Sequence, residues 1–470
     1  MERETFRRFG HQLVDWVADY FVDVEKYPVM SRLNPGDIKA LLPAQPPRQP
    51  ESMEDIIRDF KQVIIPGITH WQHPSWFAYF PANNSPASVL GEILTAGLGA
   101  QCMVWRTSPA AEELEEVVLG WLRQMLGLPE GMSGVIQDTA STATLCALIT
   151  AREKATEFES NRKGLKENLV VYASDQAHSS IEKGVKIAGY GGDNLRLIPT
   201  DGDYALLPDW LERAVLQDKE AGLKPAVVVA TVGTTSSTAI DPLDEIGKIC
   251  RRHGLWLHVD AAFAGSAAIL PEMKWMLKGA ESVDSFVVNP HKWLFTNFDC
   301  SAYFVRDPAA LVRTFEIHPE YLKTGIDAQV KNYRDWGIQL GRRFRALKLW
   351  FVIRSYGIEG LQAILREHIR LGQLFAGWVK ADPRFELMAP VPLSLVCFRL
   401  NDGREEKALE LLNKRLLEKI NATGKVFLSH TSLRGRYVLR LAIGQRTTQE
   451  RHVRGAWDLI MAETAQLLAG

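Results

Sequence analysis

Between residues 86 and 350, short runs rich in β-branched residues follow one another without polar alternation: Leu169–Ala173, Ala226–Val232, Trp256–Val259, Ser285–Val288 and Ala302–Val305. A strand with water on one side alternates polar and apolar residues, and a run such as AVVVATV has no polar face to offer. Helical stretches separate the runs. The segment is therefore expected to be an α/β body, its mainly parallel sheet covered on both faces by helices.

The flanks read differently. In the first segment Phe6, Phe9, Leu13, Trp16, Val17, Tyr20 and Phe21 recur at helical spacing. A proline-rich linker, LLPAQPPRQPESM, follows, and a second helix with Ile56, Ile57, Phe60, Val63 and Ile64 starts after Ser52 and stops at Pro66. Two helices so separated cannot bury their apolar faces on each other alone, and a second subunit is the expected cover. Beyond residue 350, LSLVCFRL reads as a strand and 405–420 as an amphipathic helix. KVFLSH and YVLRLAI read as two more strands, and 447–468 as a last helix. The expected organisation is 1–85 N-terminal helical dimerisation segment, 86–350 large cofactor domain and 351–470 small α+β domain.

Composition narrows the functional class. Lys and Arg (55) against Asp and Glu (56) leave a formal charge of −1, without the basic excess of a nucleic-acid binder. Five scattered cysteines with no CxxC argue against a disulfide framework or a zinc site, and fit a reducing cytoplasm. No apolar run approaches the roughly 20 residues that span a bilayer. The opening MERETFRRFGHQLVDW lacks the apolar core of a signal peptide.

Open parallel sheets hold ligands just beyond the carboxyl ends of their strands, so polar residues there matter most. LWLHVDAAFAG puts His258 and Asp260 at one such end, and SFVVNPHKW puts Asn289, His291 and Lys292 at another. VVVATVGTTS supplies Thr234, Thr235 and Ser236, while VVYASDQAHSS supplies Asp175, His178, Ser179 and Ser180. Most lysines are solvated or ion-paired. A lysine packed behind an apolar strand instead loses charge by desolvation and can serve as a Schiff-base nucleophile. A buried aspartate is often satisfied by backbone N–H groups alone, but beside a lysine-bound pyridine ring it keeps the ring nitrogen protonated. Such a ring, that of pyridoxal phosphate, also needs a phosphate cradle. GVIQDTASTATLCALITAREK runs into a helix starting near Thr139–Ser141, where free N–H groups and hydroxyls suit an anion. Ser and Thr are also ordinary helix caps, so this segment gains meaning from the lysine and aspartate. GxxxxGK[ST], HExxH and GxSxG are all absent.

HVDAAFAG followed by NPHKW resembles the group II pyridoxal-phosphate decarboxylases of fold type I. THWQHPSWFAYFP, SDQAHSS, TVGTTS, NFDCSA and LGRRFRALKLWFV resemble their aromatic L-amino-acid decarboxylase branch, tryptophan decarboxylases included. The resemblance spans nearly the whole chain. It implies a large domain with a mainly parallel seven-stranded sheet, an N-terminal helical segment, and a homodimer with active sites at the subunit interface. Lys292 would carry the cofactor, Asp260 would pair with the pyridine nitrogen, and His178 would stack on the ring and meet the substrate carboxylate. Thr139, Ala140 and Ser141 would hold the phosphate, assisted by Asn289 and His291, with Thr235 and Ala262 against the cofactor. Trp71, Tyr79, Phe80, Pro81, Gln101 and Met103 would line the aromatic side-chain pocket.

Tyr321, in PEYLKTG, would sit on a mobile catalytic loop reaching the neighbouring subunit. In this family a tyrosine there accompanies decarboxylation with protonation of the carbanion. A phenylalanine there, or an asparagine in place of His178, accompanies aldehyde formation. Gly341, in LGRRFR, matches the position where glycine goes with bulky substrates, which favours tryptophan while admitting phenylalanine and tyrosine. Ala82, Gln101 and Met103 depart from the animal enzyme and argue against dihydroxyphenylalanine. The expected activity is decarboxylation of aromatic L-amino acids to arylalkylamines and CO2, with no metal. The alternatives are an aromatic aldehyde synthase or a decarboxylase of a non-aromatic acid.

Overall fold

In a computed structural model, which describes residues 1–317 and 329–469, the unalternated runs lie side by side in one seven-stranded sheet. Its order is Ser133–Gln137, Ser301–Val305, Ser285–Val288, Trp256–Asp260, Lys224–Thr231, Leu169–Ser174 and Leu195–Ile198. Ser301–Val305 pairs antiparallel with both neighbours, and every other pairing is parallel. Leu169–Ser174, Trp256–Asp260 and Ser285–Val288 are buried at every residue, which is why they lack a polar face.

This sheet belongs to a unit formed by residues 82–376 and 387–397. The helix Ala140–Ala155 lays Ala143, Ala147, Leu148 and Ala151 against Val171, Val227, Val287 and Tyr303 of the sheet. Each large apolar side chain so buried contributes about 1.5–3 kcal/mol. Small residues let this helix lie close to its neighbour Ser179–Ile187, where a Cβ on Gly184 would stand 2.8 Å from Leu148 Cδ1. With one exception the strands run the same way, so their carboxyl ends share one edge of the sheet. The segments starting at Asp138, Asp175, Val232, Ala261 and Asn289 all leave from that edge. All five cysteines are in this unit, buried, with free thiols.

The second unit comprises residues 1–81, 377–386 and 398–470. Trp76–Phe77 pairs in parallel with Phe427–Leu433, which runs antiparallel to Arg436–Ala442. The helices Glu406–Ala422 and Glu450–Ala469 belong to the same body. The N-terminal segment is fastened here by Val29 N–H, which donates to Gly424 O at 2.8 Å. The contacts thus group residues 1–81 with the C-terminal residues, whereas the sequence division set 1–85 apart. The division point expected at 350 falls inside a helical stretch, Arg345–Ala381, broken at Gly357 where φ is +63°.

The N-terminal helix Arg3–Asp23 buries only Phe9, while Phe6, Leu13, Val14 and Val22 are exposed. Its Trp16 meets Phe60 edge-on at 5.0 Å between ring centroids. The helix Met53–Asp59 is capped by Ser52, whose hydroxyl accepts Asp55 N–H at 3.1 Å, and it passes through a wide turn into Ile65–Gly67 around Pro66. No helix of the described residues is long and apolar enough to cross a membrane.

Candidate active site

Asp260 closes the strand Trp256–Asp260, in register with Thr231 on one side and Val287 on the other. The carboxylate is buried, and its Oδ1 accepts Ala262 N–H at 3.1 Å. On the neighbouring strand, Val288 leads into Asn289 and then into a single helical turn, Pro290–Trp293, that carries Lys292. Asn289 N–H donates to Ala262 O at 3.0 Å, so the aspartate loop and the lysine loop are fastened backbone to backbone. Lys292 N–H donates to Asn289 O at 2.9 Å, and Asn83 Nδ2 donates to Lys292 O at 2.7 Å. Desolvation lowers the pKa of the Lys292 ammonium from the ordinary lysine value, opposed by the negative charge of Asp260. Lysine and aspartate are therefore close enough to sense each other.

His178 precedes the helix Ser179–Ile187 as its N-cap. Its Nδ1 accepts Ser180 N–H at 3.2 Å and lies 2.8 Å from Ser180 Oγ. An accepting Nδ1 puts the proton of a neutral ring on Nε2. Desolvation lowers this histidine's pKa, Asp260 raises it, and Lys292 and Lys183 lower it further. The three groups expected at the reacting centre thus form one electrostatic cluster. His291 Nδ1 accepts Cys300 N–H at 3.0 Å, and burial first, then the charge of Lys292, takes its pKa down to about 3. Asn289 Oδ1 accepts the Ser301 hydroxyl at 2.6 Å.

The helix Ala140–Ala155 starts where the sequence placed it, with Thr139 as N-cap. Thr139 Oγ1 accepts Thr142 N–H at 3.4 Å. The Asp138 carboxylate lies at the helix start, accepting Thr139 N–H at 2.6 Å and Oγ1–H at 3.3 Å, and it also accepts Gln339 Nε2 at 3.1 Å. A helix's first N–H groups have no intrahelical acceptor, so Ala140 and Ser141 present donors beside the Thr139 and Ser141 hydroxyls. Gly233, at φ +86°, passes so close to Ala264 that a Cβ there would lie 2.3 Å from Ala264 Cβ. This tight turn brings the Thr234–Ser236 loop to the same edge, with Thr234 buried and Thr235 exposed.

The residues expected to line a side-chain pocket fall into two sets, one in each unit. In the first, Trp71 stacks on Trp76 at 4.3 Å and on Tyr79 at 5.9 Å. Tyr79 adopts φ +54° and donates its N–H to Ser429 Oγ at 3.1 Å. Phe80 lies under the Arg440 guanidinium at 5.3 Å, and Pro81 packs against Gly444. In the second, Gln101 Oε1 accepts Arg342 N–H at 2.7 Å, and Met103 O accepts Arg334 N–H at 2.9 Å. A Cβ on Gly341 would meet Gln101 Nε2 at 3.4 Å. Tyr321 lies outside the described residues.

Three features escaped the sequence reading. Asn83, which grips both His291 O (2.9 Å, through its N–H) and Lys292 O, was signalled only by the polar pair in PANNSP. Gln339, on Asp138, carried no signal. His258 was noted at its strand end, but its role was not legible. It sits on the same strand face as Asp260, one pleat deeper. Its Nε2 is 3.1 Å from Thr144 Oγ1 and its Nδ1 2.9 Å from Ser285 Oγ, which also accepts Trp256 Nε1–H at 2.8 Å. Complete burial lowers its pKa to about 4, so it is a neutral tie between the cradle helix and two strands.

Residues 35–401 match the family described as the pyridoxal-dependent decarboxylase conserved domain. Over its whole length the chain is 48% identical to the phenylacetaldehyde synthase of Arabidopsis thaliana, covering 97% of that protein. It is 46% identical to tyrosine decarboxylase 2 of Narcissus pseudonarcissus, again over the whole chain and 96% of the relative. Among solved structures, the tryptophan decarboxylase of Catharanthus roseus in complex with L-tryptophan matches with a TM-score of 0.94 at 43% identity, covering 99% of each chain. A lysine and an aspartate on adjacent strand ends, a helix start with unused donors and these matches agree: the chain belongs to the pyridoxal-dependent decarboxylase family.

Proposed function

We propose that the protein decarboxylates aromatic L-amino acids, tryptophan foremost and phenylalanine or tyrosine besides, to the arylalkylamine and CO2, with pyridoxal 5′-phosphate as cofactor. One observation carries the reading: Lys292 and Asp260 stand on neighbouring strand ends joined by the Asn289–Ala262 hydrogen bond, and burial lowers the lysine's pKa. The donor set fits the cofactor at three points: an amine for its aldehyde carbon, a carboxylate for its ring nitrogen, and a helix start for its phosphate. When bound, pyridoxal phosphate supplies the electron sink for the bonding pair left by the departing carboxylate.

The chain's own residues supply the rest. Lys292, whose ammonium pKa desolvation lowers, would be the nucleophile that holds the cofactor by its aldehyde carbon. Asp260 holds a proton on the ring nitrogen by its charge. His178, neutral with its proton on Nε2, lies on the ring face and meets the substrate carboxylate. Thr139, Ala140 and Ser141 hold the phosphate with Asn289 and His291 beside them, and Thr235 and Ala262 border the cofactor. Tyr321 delivers a proton to the substrate Cα. For the aromatic side chain the resemblance assigns Trp71, Tyr79, Phe80 and Pro81 in one unit and Gln101, Met103 and Gly341 in the other.

A homodimer belongs to this reading, and the exposed Phe6 and Leu13 of the N-terminal helix are available to it. Five free, buried thiols suit work in the cytoplasm.

Purified protein incubated with the aromatic amino acids is expected to release amine and CO2 in equal amounts. Lys292→Ala abolishes turnover and the visible absorbance of the bound cofactor, and a fully active variant would end the reading. The phenylacetaldehyde synthase relative makes aldehyde formation the second reading. Tyr321→Phe is expected to turn the products toward aldehyde, ammonia and peroxide. Aldehyde from the unaltered protein would establish the second reading instead.

A further inference from the structure

Behind the pocket residues of the sheet unit lies a buried ion pair that the proposed chemistry does not use. Arg342 and Glu115 are both almost wholly inaccessible and meet at 2.7 Å, Nη2 to Oε1. Removing two charges from water is expensive, and such a pair adds little stability over well-packed apolar residues. Its partners suggest another use. The guanidinium also donates to Ile136 O at 2.9 Å and to Cys102 O at 3.3 Å, while Glu115 Oε1 accepts Ile136 N–H at 2.7 Å. The Tyr333 ring closes one side of the guanidinium at 4.8 Å. Arg342 and Glu115 together therefore grip both backbone groups of Ile136, two residues before Asp138, and the carbonyl next to Gln101.

The main chain of Arg342 completes the clasp. Its N–H donates to Gln101 Oε1 at 2.7 Å, and its carbonyl accepts Cys102 N–H at 3.1 Å. With its oxygen held, the Gln101 carboxamide is left with Nε2 beside Gly341, where it is the nearest atom to the place a side chain would occupy, at 3.4 Å. The space over Gly341 is thus bounded by an amide whose position Arg342 sets.

We infer that Arg342, locked by Glu115, is a positioning residue for substrate specificity: it fixes the distance between the Gln101 carboxamide and the open face of Gly341, and so the side-chain size the pocket accepts. The inference rests on the pocket assignment of Gln101 and Gly341 proposed above. A lysine at position 342 keeps the charge opposite Glu115 but is a single point donor. It cannot hold Glu115, Ile136 O and Cys102 O together in the forked geometry of a guanidinium.

The test ranks kcat/KM over a series of L-amino acids graded by side-chain size, for the parental holoenzyme, Arg342→Lys and Gln101→Met. Gln101 is exposed, so its substitution does not endanger folding. The clasp requires Arg342→Lys to change the ratio between tryptophan and the smallest accepted substrate by about tenfold, the scale of a pocket-wall change. That change should appear in KM, with kcat for the smallest substrate and the cofactor absorbance kept. Gln101→Met must change the same ratio in the same direction. Should Arg342→Lys fail to fold, the Gln101→Met ratio decides alone. Rankings that coincide with the parental one overturn the inference, whatever that parental ranking is. A parental ranking without aromatic acids would overturn the proposed function instead.

Discussion

Glu112 is a carboxyl in the wrong solvent. It is buried on the helix Pro109–Leu126 beside the Arg342–Glu115 pair, and among the described residues its carboxyl has one hydrogen-bond partner, Tyr333 N–H at 3.3 Å. Burial first, then the charge of Glu115, pushes its pKa up to about 8, against the pull of Arg342. An unfolded glutamic acid ionises near 4.3. Between that value and about 8 the folded chain keeps a proton the unfolded chain has released, so stability falls as pH rises through this window and levels off above it. Glu112→Gln keeps shape and acceptor but has nothing to ionise. Its stability relative to the parent should be unchanged near pH 4 and higher by on the order of 3 kcal/mol above pH 8. Denaturation curves across that range would check this, and an equal offset at both ends would remove Glu112 as the cause. Residues of this kind are hard to read from a sequence, where Glu112 and Glu115 look like any helix-surface pair. Lys292 and Asp260 were legible because each ends an apolar strand. Arg342 looked like one of two adjacent surface arginines until its four acceptors were seen.

At the scale of elements, the buried strands were the legible part, because covering both faces leaves a signature no other environment produces. The strand Ser133–Gln137 is not among the runs read from the sequence. Its Gly134 is there because a Cβ would come within 2.9 Å of the Phe304 ring, a close approach rather than a turn. Trp76–Phe77 is too short for any period to register. The stretch Arg345–Ala381 does carry a stripe, Leu361, Leu365, Leu371, Phe375 and Val379 being buried at helical spacing, but the break at Gly357 interrupts its period. Turns at the ligand edge are the sensitive elements. Gly233→Ala would combine a left-handed backbone with a side chain driven into Ala264. We expect a loss of about 2–5 kcal/mol, together with weaker cofactor retention, since the turn carries the Thr234–Ser236 loop. Unfolding curves and cofactor titration would measure both. An unchanged protein would show that the turn yields freely.

For the whole molecule, the contacts that group residues 1–81 with the C-terminal residues are remote in sequence. The strand Trp76–Phe77 finds its partner in Phe427–Leu428, and pairings this remote leave no trace in local composition. What the N-terminal segment does present locally is a surface. Phe6 and Leu13 share one helix face seven residues apart, and they are 70% and 39% exposed. If they bind a second copy of this chain, replacing both by glutamate should weaken the dimer at least about tenfold. Sedimentation over a concentration series would report it. A dimer as tight as the parent's would place the interface elsewhere.

The buried thiols have a consequence at this scale. Desolvation pushes Cys102, Cys146 and Cys300 up to about 12, and Cys250 also upward, so in the folded chain these four are neither reached nor ionised. A thiol reacts only when both conditions are met. The unit that carries Lys292 therefore holds five internal markers, from Cys102 ahead of the helix Pro109–Leu126 to Cys397 in the strand Leu395–Leu400. Each is inert while its surroundings hold and reactive once they part. The order in which the cysteines become modified is a written record of which part of the sheet unit opens first.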